Sequence, residues 1–189
     1  MKNLRWLLGA MVLVAACGGE APKPAETAAP APSGPRQEPL ANVAQLMRAI
    51  PFPSSNIIFD AQTNDPGAPP KPAREGESAS ARFSAIYTGW PLVEHSAAAL
   101  TETANLLMIP GRLCQNGKPA PMDREDWKKG VQGLADVGKA ALKAAQAKSQ
   151  EQVIEVSNAV AEACAACHEI YRDVPDEKDR CIPPAAAAP

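Results

Sequence analysis

The chain has 189 residues, of which 46% are hydrophobic and only 4% are aromatic. Its 19 basic and 21 acidic side chains give a formal net charge of −2 at pH 7. Basic residues neither predominate nor cluster, so the composition gives no indication of nucleic-acid binding. The length corresponds to a single folded domain with additional segments.

The first sixteen residues have the features of an export signal. Lys2 and Arg5 precede an apolar run that continues to Ala16. The run is too short for a membrane-spanning helix and is typical of a signal peptide, which we predict over residues 1–16. Its removal would take two of the 19 basic residues from the chain and no acidic residue, which leaves 17 basic against 21 acidic side chains.

The end of this segment, Val14-Ala15-Ala16-Cys17, resembles the lipobox of bacterial lipoproteins, in which the cysteine becomes the lipidated first residue of the mature chain. We therefore predict an exported protein, in the periplasm or at the cell surface, that is anchored to a bacterial membrane by a lipid on Cys17. The alternative is ordinary cleavage that leaves Cys17 free, and an exposed thiol is a liability in an oxidising compartment.

The residues after Cys17 divide into three parts. Residues 17–39 are rich in Ala and Pro and have no apolar period, which predicts an extended linker. Residues 40–182 are predicted to form one helical domain, and residues 183–189 a disordered tail. No alternating pattern indicates β-strands, so the predicted fold class is all-α.

The first predicted helix is short. Its apolar residues recur at intervals of three and four: Leu40, Val43, Leu46, Met47 and Ile50. Pro51 and Pro53 are expected to end it, because proline breaks a helix interior. A long irregular segment is predicted to follow, from Phe52 to about Lys71.

Three longer helices are predicted after this segment. The second runs from Pro91 to about Met108, the third opens at Asp123 as N-cap and continues to about Ala147, and the fourth begins at Ser149. The core-facing stripe of the third helix is Trp127, Val131, Leu134, Gly138, Ala141 and Ala145. That of the fourth is Val153, Val156, Val160, Cys164, Cys167 and Tyr171.

The fourth helix carries the sequence Cys164-Ala165-Ala166-Cys167-His168. C-x-x-C-H is the attachment signature of a c-type haem. On a helix the two thiols and the imidazole share one face, so the thiols can bond the haem vinyl groups while His168 coordinates the iron. We predict one covalent haem.

Four other interpretations compete with haem attachment, one of which, a disulfide between Cys164 and Cys167, would do no structural work. A thioredoxin-like C-x-x-C should follow a strand and open a helix, whereas this motif lies late in a helical stretch. A zinc site would need two further ligands, for which Cys114 and Cys181 are available. The simplest alternative is a pair of buried helical cysteines beside an unrelated histidine.

A C-terminal C-x-x-C-H followed by Tyr171 and Arg172 resembles the class II c-type cytochromes, the cytochrome c-prime group. The resemblance covers the last two helices well and the first loosely. It implies a four-helix bundle with haem between the helices, thioethers at Cys164 and Cys167, His168 as the proximal iron ligand, and Arg172 beside it. The long irregular segment after the first helix departs from that family.

The sixth iron ligand decides between two functions. In the family this position is either empty or filled by a methionine of the first helix, where Met47 stands. Met108, at the end of the second helix, and Met122, in a Pro-rich loop, are lesser candidates. With Met47 as distal ligand the protein would be an electron carrier whose partners are redox proteins; with an open iron it would bind a diatomic gas. An enzyme such as a peroxidase would need distal acid–base groups, and the only other histidine, His95, is predicted to lie on the surface. We do not predict an enzyme, and a homodimer is possible.

Haem attachment and lipidation would together occupy three of the five cysteines. Cys114 and Cys181 would remain, and we predict a disulfide between them because the compartment is oxidising. The alternative is two separate thiols that lie too far apart to bond.

Overall fold

The computed structural model describes residues 37–69 and 84–182. The predicted signal peptide, Cys17, most of the linker and the tail 183–189 lie outside the described residues. The described residues belong to one compact unit that begins at Arg36. They are mostly helical and contain no β-strand, only an isolated bridge between Leu113 and Pro119, so the predicted all-α class is confirmed.

Helix α1 is Val43–Ala49, and helix α2, Pro51–Asp60, begins only one residue later. Asn42 caps α1, because its side chain accepts the Gln45 N–H while the Gln45 side chain accepts the Asn42 N–H. This capping box places Leu40 before the helix. Leu40 is 96% exposed, so its predicted place on the apolar face is wrong.

The predicted irregular segment from Phe52 to Lys71 is also wrong over its first part, where α2 continues to Asp60. Pro51 and Pro53 lie at the first and third positions of α2. The N–H groups of a first helical turn have no partner within the helix, so proline costs nothing there and its fixed φ suits the turn. Ile58 of α2 is fully buried.

Three longer helices follow: α3, Gly89–Leu107; α4, Glu125–Gln146; and α5, Gln150–Tyr171. They correspond to the second, third and fourth predicted helices. The predicted N-cap of α4 is one residue early, since the cap is Arg124 and not Asp123. Ser149 caps α5 as predicted, because its hydroxyl accepts the Gln152 N–H.

Consecutive helices pack side by side. α2 packs against α3, α3 against α4 and α4 against α5, while α2 also contacts α5 and α1 packs mainly on α2. Two hydrogen bonds tie the first segment to α5: the Gln62 amide donates to Ser157 Oγ at 2.9 Å, and the Gln150 amide donates to the Ala61 carbonyl at 2.8 Å.

The core consists largely of small side chains from these helices. Every residue of the predicted α4 stripe is buried, and the α5 stripe is buried or half-buried. Among the fully buried residues are Ala97, Leu100, Ala141, Ala145, Val153 and Val160. Small side chains allow the helix backbones to approach closely, which is most evident where α3 crosses α4 at Gly138.

The loop after α3 is joined to the N-terminal segment by a hydrogen bond of Arg112 and to the C-terminal segment by a disulfide. Buried Arg112 donates from Nε to the Leu106 carbonyl at 2.9 Å and from its guanidinium to the Ala41 carbonyl at 2.6 Å, which satisfies a carbonyl at the end of α3. Cys114 forms a disulfide with Cys181, so this predicted pairing is confirmed. The bond closes a span of 67 residues and stabilises the fold by about 4 kcal/mol on chain-entropy grounds.

The contact of Gly138 with Thr101 generates a stability prediction. A Cβ at Gly138 would lie 2.5 Å from Thr101 Oγ1 and 2.8 Å from its backbone nitrogen, so the α3 backbone would have to move. We expect Gly138→Ala to lower the free energy of unfolding by about 1–3 kcal/mol, measured by urea denaturation.

Gly133 in the same helix is the matched control, because nothing lies within 4 Å of its Cβ position. Gly133→Ala should raise the free energy of unfolding by about 0.5–1 kcal/mol, since alanine loses less backbone entropy in a helix. Equal effects of the two substitutions would contradict close packing at Gly138.

Candidate functional site

The C-x-x-C-H motif occupies the last two turns of α5, which ends at Tyr171. Cys164, Cys167 and His168 are half-buried, whereas Ala165 and Ala166 between them are exposed. The helical period therefore turns all three functional side chains toward the domain, as the sequence predicts. Both thiols are free and pack against the core.

This position bears on two of the competing interpretations. The motif lies far from the N-terminus of α5, unlike a thioredoxin-type C-x-x-C. Cys114 and Cys181 are bonded to each other, so neither is available to complete a zinc site with the motif. Among the described residues, no group of three or more His, Cys, Asp or Glu side chains is arranged to hold a metal ion.

Burial sets the protonation of the three motif side chains. It raises the pKa of the Cys164 thiol and raises that of Cys167 to about 11, so both are protonated at neutral pH. Burial, together with the charge of Arg172, lowers the pKa of His168. His168 is therefore a neutral imidazole with a free nitrogen lone pair, the form that coordinates iron.

Helix α4 packs closely against the motif. A Cβ at Gly130 would lie 3.3 Å from both Cβ and Sγ of Cys167, closer than ordinary van der Waals contact, so a larger residue there would require Cys167 to shift. One turn earlier on α4, Trp127 is 2% exposed, and its indole Nε1 has no hydrogen-bond partner among the described groups. A buried donor without an acceptor favours a further polar group at this place.

The donor set fits a covalent haem on these observations. Two free thiols and one neutral imidazole share a face of α5, the facing helix has glycine at the sulfur of Cys167, and a buried indole N–H nearby lacks an acceptor. A cavity of about 370 Å³ lies at the C-terminal end of α5, and none of the three motif side chains lines it. It is lined by Glu169, Ile170, Val174, Asp179 and Ile182.

Arg172 lies close to the motif, where the family resemblance implies it. Its charge acts on the pKa values of both Cys164 and His168. The guanidinium forms two hydrogen bonds with the neighbouring Asp173 carboxylate, at 2.6 and 3.1 Å. The ion pair raises the pKa of Arg172 further, so the residue is a permanent cation.

The methionine and histidine candidates have different environments. Met47, Met108 and Met122 are all half-buried and pack against the core, so burial does not distinguish Met47 from the others. Met47 lies on α1, which packs mainly on α2. Its coordination of iron opposite His168 stays a prediction. His95 is exposed on α3, as predicted.

No sequence pattern predicted the polar group beside the motif, which is formed by Tyr171, Asp126 and Arg124 and is called here the Asp126 network. The Tyr171 hydroxyl donates to Asp126 Oδ1 at 2.5 Å, and Arg124 donates to the two carboxylate oxygens at 3.0 and 2.6 Å. The backbone N–H of Trp127 donates to Asp126 at 2.8 Å. The only indication of this network in the sequence was the acidic residue Asp126 in the first turn of α4. Acidic residues are common at that position, so it did not predict the contact with Tyr171.

Comparisons with protein-family models, with curated proteins and with solved structures find no match to this chain. Within residues 37–69 and 84–182, no helix is long and apolar enough to span a membrane.

The Asp126 network gives a pH prediction for stability. Its hydrogen bonds lower the pKa of Asp126 to about 2 from an ordinary value of 3.8, while burial and the bond to Asp126 raise the pKa of Tyr171 to about 12 from 10.0. Asp126 therefore contributes stability above pH 4 that is lost as the pH falls toward 2. Tyr171 contributes stability below pH 10 that is lost as the pH rises toward 12.

Urea denaturation across this pH range would measure both effects. Asp126→Asn should reduce the loss of stability on the acid side, and Tyr171→Phe should reduce the loss on the alkaline side. Asp136→Asn, an exposed carboxylate elsewhere on α4, is the control. If Asp126→Asn left the loss of stability at low pH unchanged, the contribution assigned to Asp126 would be contradicted.

Proposed function

We propose that this protein is an exported, membrane-tethered c-type cytochrome that carries one covalent haem for electron transfer. The observation that carries the proposal is the state of the cysteines in α5. Cys164 and Cys167 are reduced and share an inward face with a neutral His168, while the other two described cysteines are paired with each other.

The packing of the helices supports a finer proposal, the four-helix bundle of the cytochrome c-prime type. α2 contacts both α3 and α5, and α4 contacts the same two helices. The four helices thus follow one another around a common core, with α1 as a short extension of the first. In such a bundle the motif face of α5 is directed between helices.

The residues of the chain have separate roles in this proposal. The Cys164 and Cys167 thiols would hold the haem by adding across its vinyl double bonds: a carbon–sulfur bond would form and the thiol hydrogen would pass to the adjacent carbon, with no net oxidation or reduction. His168 would supply a neutral nitrogen to the iron, and Gly130 allows α4 to pack closely beside Cys167. When bound, the haem iron supplies reversible one-electron chemistry.

The first test is the covalent attachment itself. Protein matured in a periplasm should gain the mass of one haem and retain it through acid–acetone extraction. Cys164→Ser with Cys167→Ser should abolish attachment, because no thiol remains to form a thioether. Cys114→Ser with Cys181→Ser is the matched control, which should lower stability but keep the haem. Purified protein with zinc and without haem would contradict the proposal.

The second test concerns the tether. We expect wild-type protein in the membrane fraction, held by acyl chains on Cys17. Cys17→Ala should move it to the soluble exported fraction without changing its haem content. A wild-type protein that is soluble without detergent would contradict lipidation and leave haem attachment unaffected.

The third test separates electron transfer from gas binding. If Met47 coordinates the iron, the ferric protein should be low spin and should not bind carbon monoxide when reduced. Met47→Ala should give a high-spin haem with a lower potential that binds carbon monoxide, because a soft neutral thioether favours ferrous iron. Met108→Ala, at an equally half-buried methionine, is the control. A high-spin wild type would favour the gas-binding alternative.

A further inference from the structure

The last turn of α5 is the part of the structure on which iron coordination by His168 would depend. His168 lies three residues before the end of the helix, and its carbonyl accepts the N–H groups of Arg172 and Asp173, both at 2.8 Å. Terminal helical turns fray unless tertiary contacts hold them. A ligand in such a turn needs an external support to keep one orientation.

Tyr171 supplies this support through three contacts, with Asp126, Trp127 and Cys181. Its hydroxyl donates to Asp126 at the start of α4, and its ring meets that of Trp127 edge-on, with centroids 5.2 Å apart. Its carbonyl accepts the N–H of Cys181 at 2.7 Å, and Cys181 is bonded to Cys114. The residue is 6% exposed.

The Asp126 carboxylate is itself held in place by several hydrogen bonds. Its carboxylate accepts from the Tyr171 hydroxyl, from Arg124 through two nitrogens and from the Trp127 backbone N–H. All these donors except Tyr171 belong to the N-terminal end of α4, so the carboxylate has a fixed place relative to that helix. The same helix carries Gly130 against Cys167 one turn further on.

We propose that Tyr171 and Asp126 are positioning residues for His168: their hydrogen bond fixes the last turn of α5 on α4 and thereby sets the orientation of the iron ligand. This inference rests on the proposed haem attachment. Neither residue would touch the iron. Metal ligands are commonly oriented by groups outside the coordination sphere, whose loss lowers metal affinity or activity by about 10–100-fold.

The test uses the full-length haem protein with Tyr171→Phe and Asp126→Asn. Tyr171→Phe keeps the ring contact with Trp127 and removes only the hydroxyl. Asp136→Asn is the control, because Asp136 accepts from Gln132 on the exposed face of α4 at 2.8 Å and belongs to another part of the helix. Haem content of the wild type is measured first, by mass and by the haemochrome spectrum.

Two measurements are then made on each variant. Hydrogen exchange of the peptide that covers residues 164–173 should become roughly tenfold faster in both variants, as expected when one hydrogen bond to a charged acceptor is lost. The ferric electron paramagnetic resonance spectrum should show a second or broadened iron species, and the reduction potential should shift. The control should match the wild type in both measurements.

The outcomes separate the two proposals. Wild-type protein without haem refutes the proposed function, and the positioning role falls with it. Haem-bearing variants with an unchanged iron spectrum and potential overturn the positioning role alone, even if exchange is faster, because the bond would then be only structural. An unchanged rate of hydrogen exchange in the variants also overturns the positioning role. If Asp126→Asn does not fold, Tyr171→Phe decides.

Discussion

The hydrogen bond between Tyr171 and Asp126 holds the end of the motif helix against the start of α4. It joins the end of α5 to the start of α4 at 2.5 Å, and the backbone of Tyr171 joins the same point to the disulfide-bonded C-terminal segment. Three parts of the chain that are distant in sequence therefore meet at one residue. The C-x-x-C-H motif lies within one to two turns of this junction, which is why we propose that the junction sets the orientation of His168.

The topology keeps the two described pairs of cysteines apart. Cys114 and Cys181 lie on segments that follow α3 and α5, where the chain can bring their Cα atoms to 6.1 Å, and both are buried. Cys164 and Cys167 are held on one helix by its hydrogen bonds, so their positions relative to each other are set before any cofactor arrives. The disulfide thus links the segments that follow α3 and α5, and both thiols of the motif remain free.

Helical periodicity predicted the parts of the fold that depend on burial. The α4 stripe from Trp127 to Ala145 and the Ser149 cap of α5 followed from residue type and spacing, because one face of each helix must leave water. The proline rule correctly ended α1 before Pro51, but the irregular segment predicted after it was wrong, since a helix-breaking residue is also a good first residue of a new helix. The burial of Ile58 in α2 depends on tertiary packing, which the rule does not include.

The arrangement of the candidate site could likewise be predicted only in part. Cys164, Cys167 and His168 share a face because the helix is regular, so their mutual arrangement could be derived from the sequence alone. The partners of Tyr171 could not, because Asp126 and Arg124 are 45 and 47 residues away and no local pattern links them. The close approach of Gly130 to Cys167 likewise depends on how α4 packs on α5. Contacts between helices carry no periodic signal in a single sequence.

The charges near the motif indicate what would tune a haem attached there. Arg172 is paired with Asp173 and Arg124 with Asp126, each at 2.6 Å, so the nearest cations are neutralised locally. The Arg172 and Asp173 side chains are 56% and 47% exposed, and water and salt would screen what remains of their field. Net charge is therefore a weak influence. The neutral imidazole of His168, the identity of the opposite ligand and the exclusion of water by the half-buried face of α5 would dominate the reduction potential.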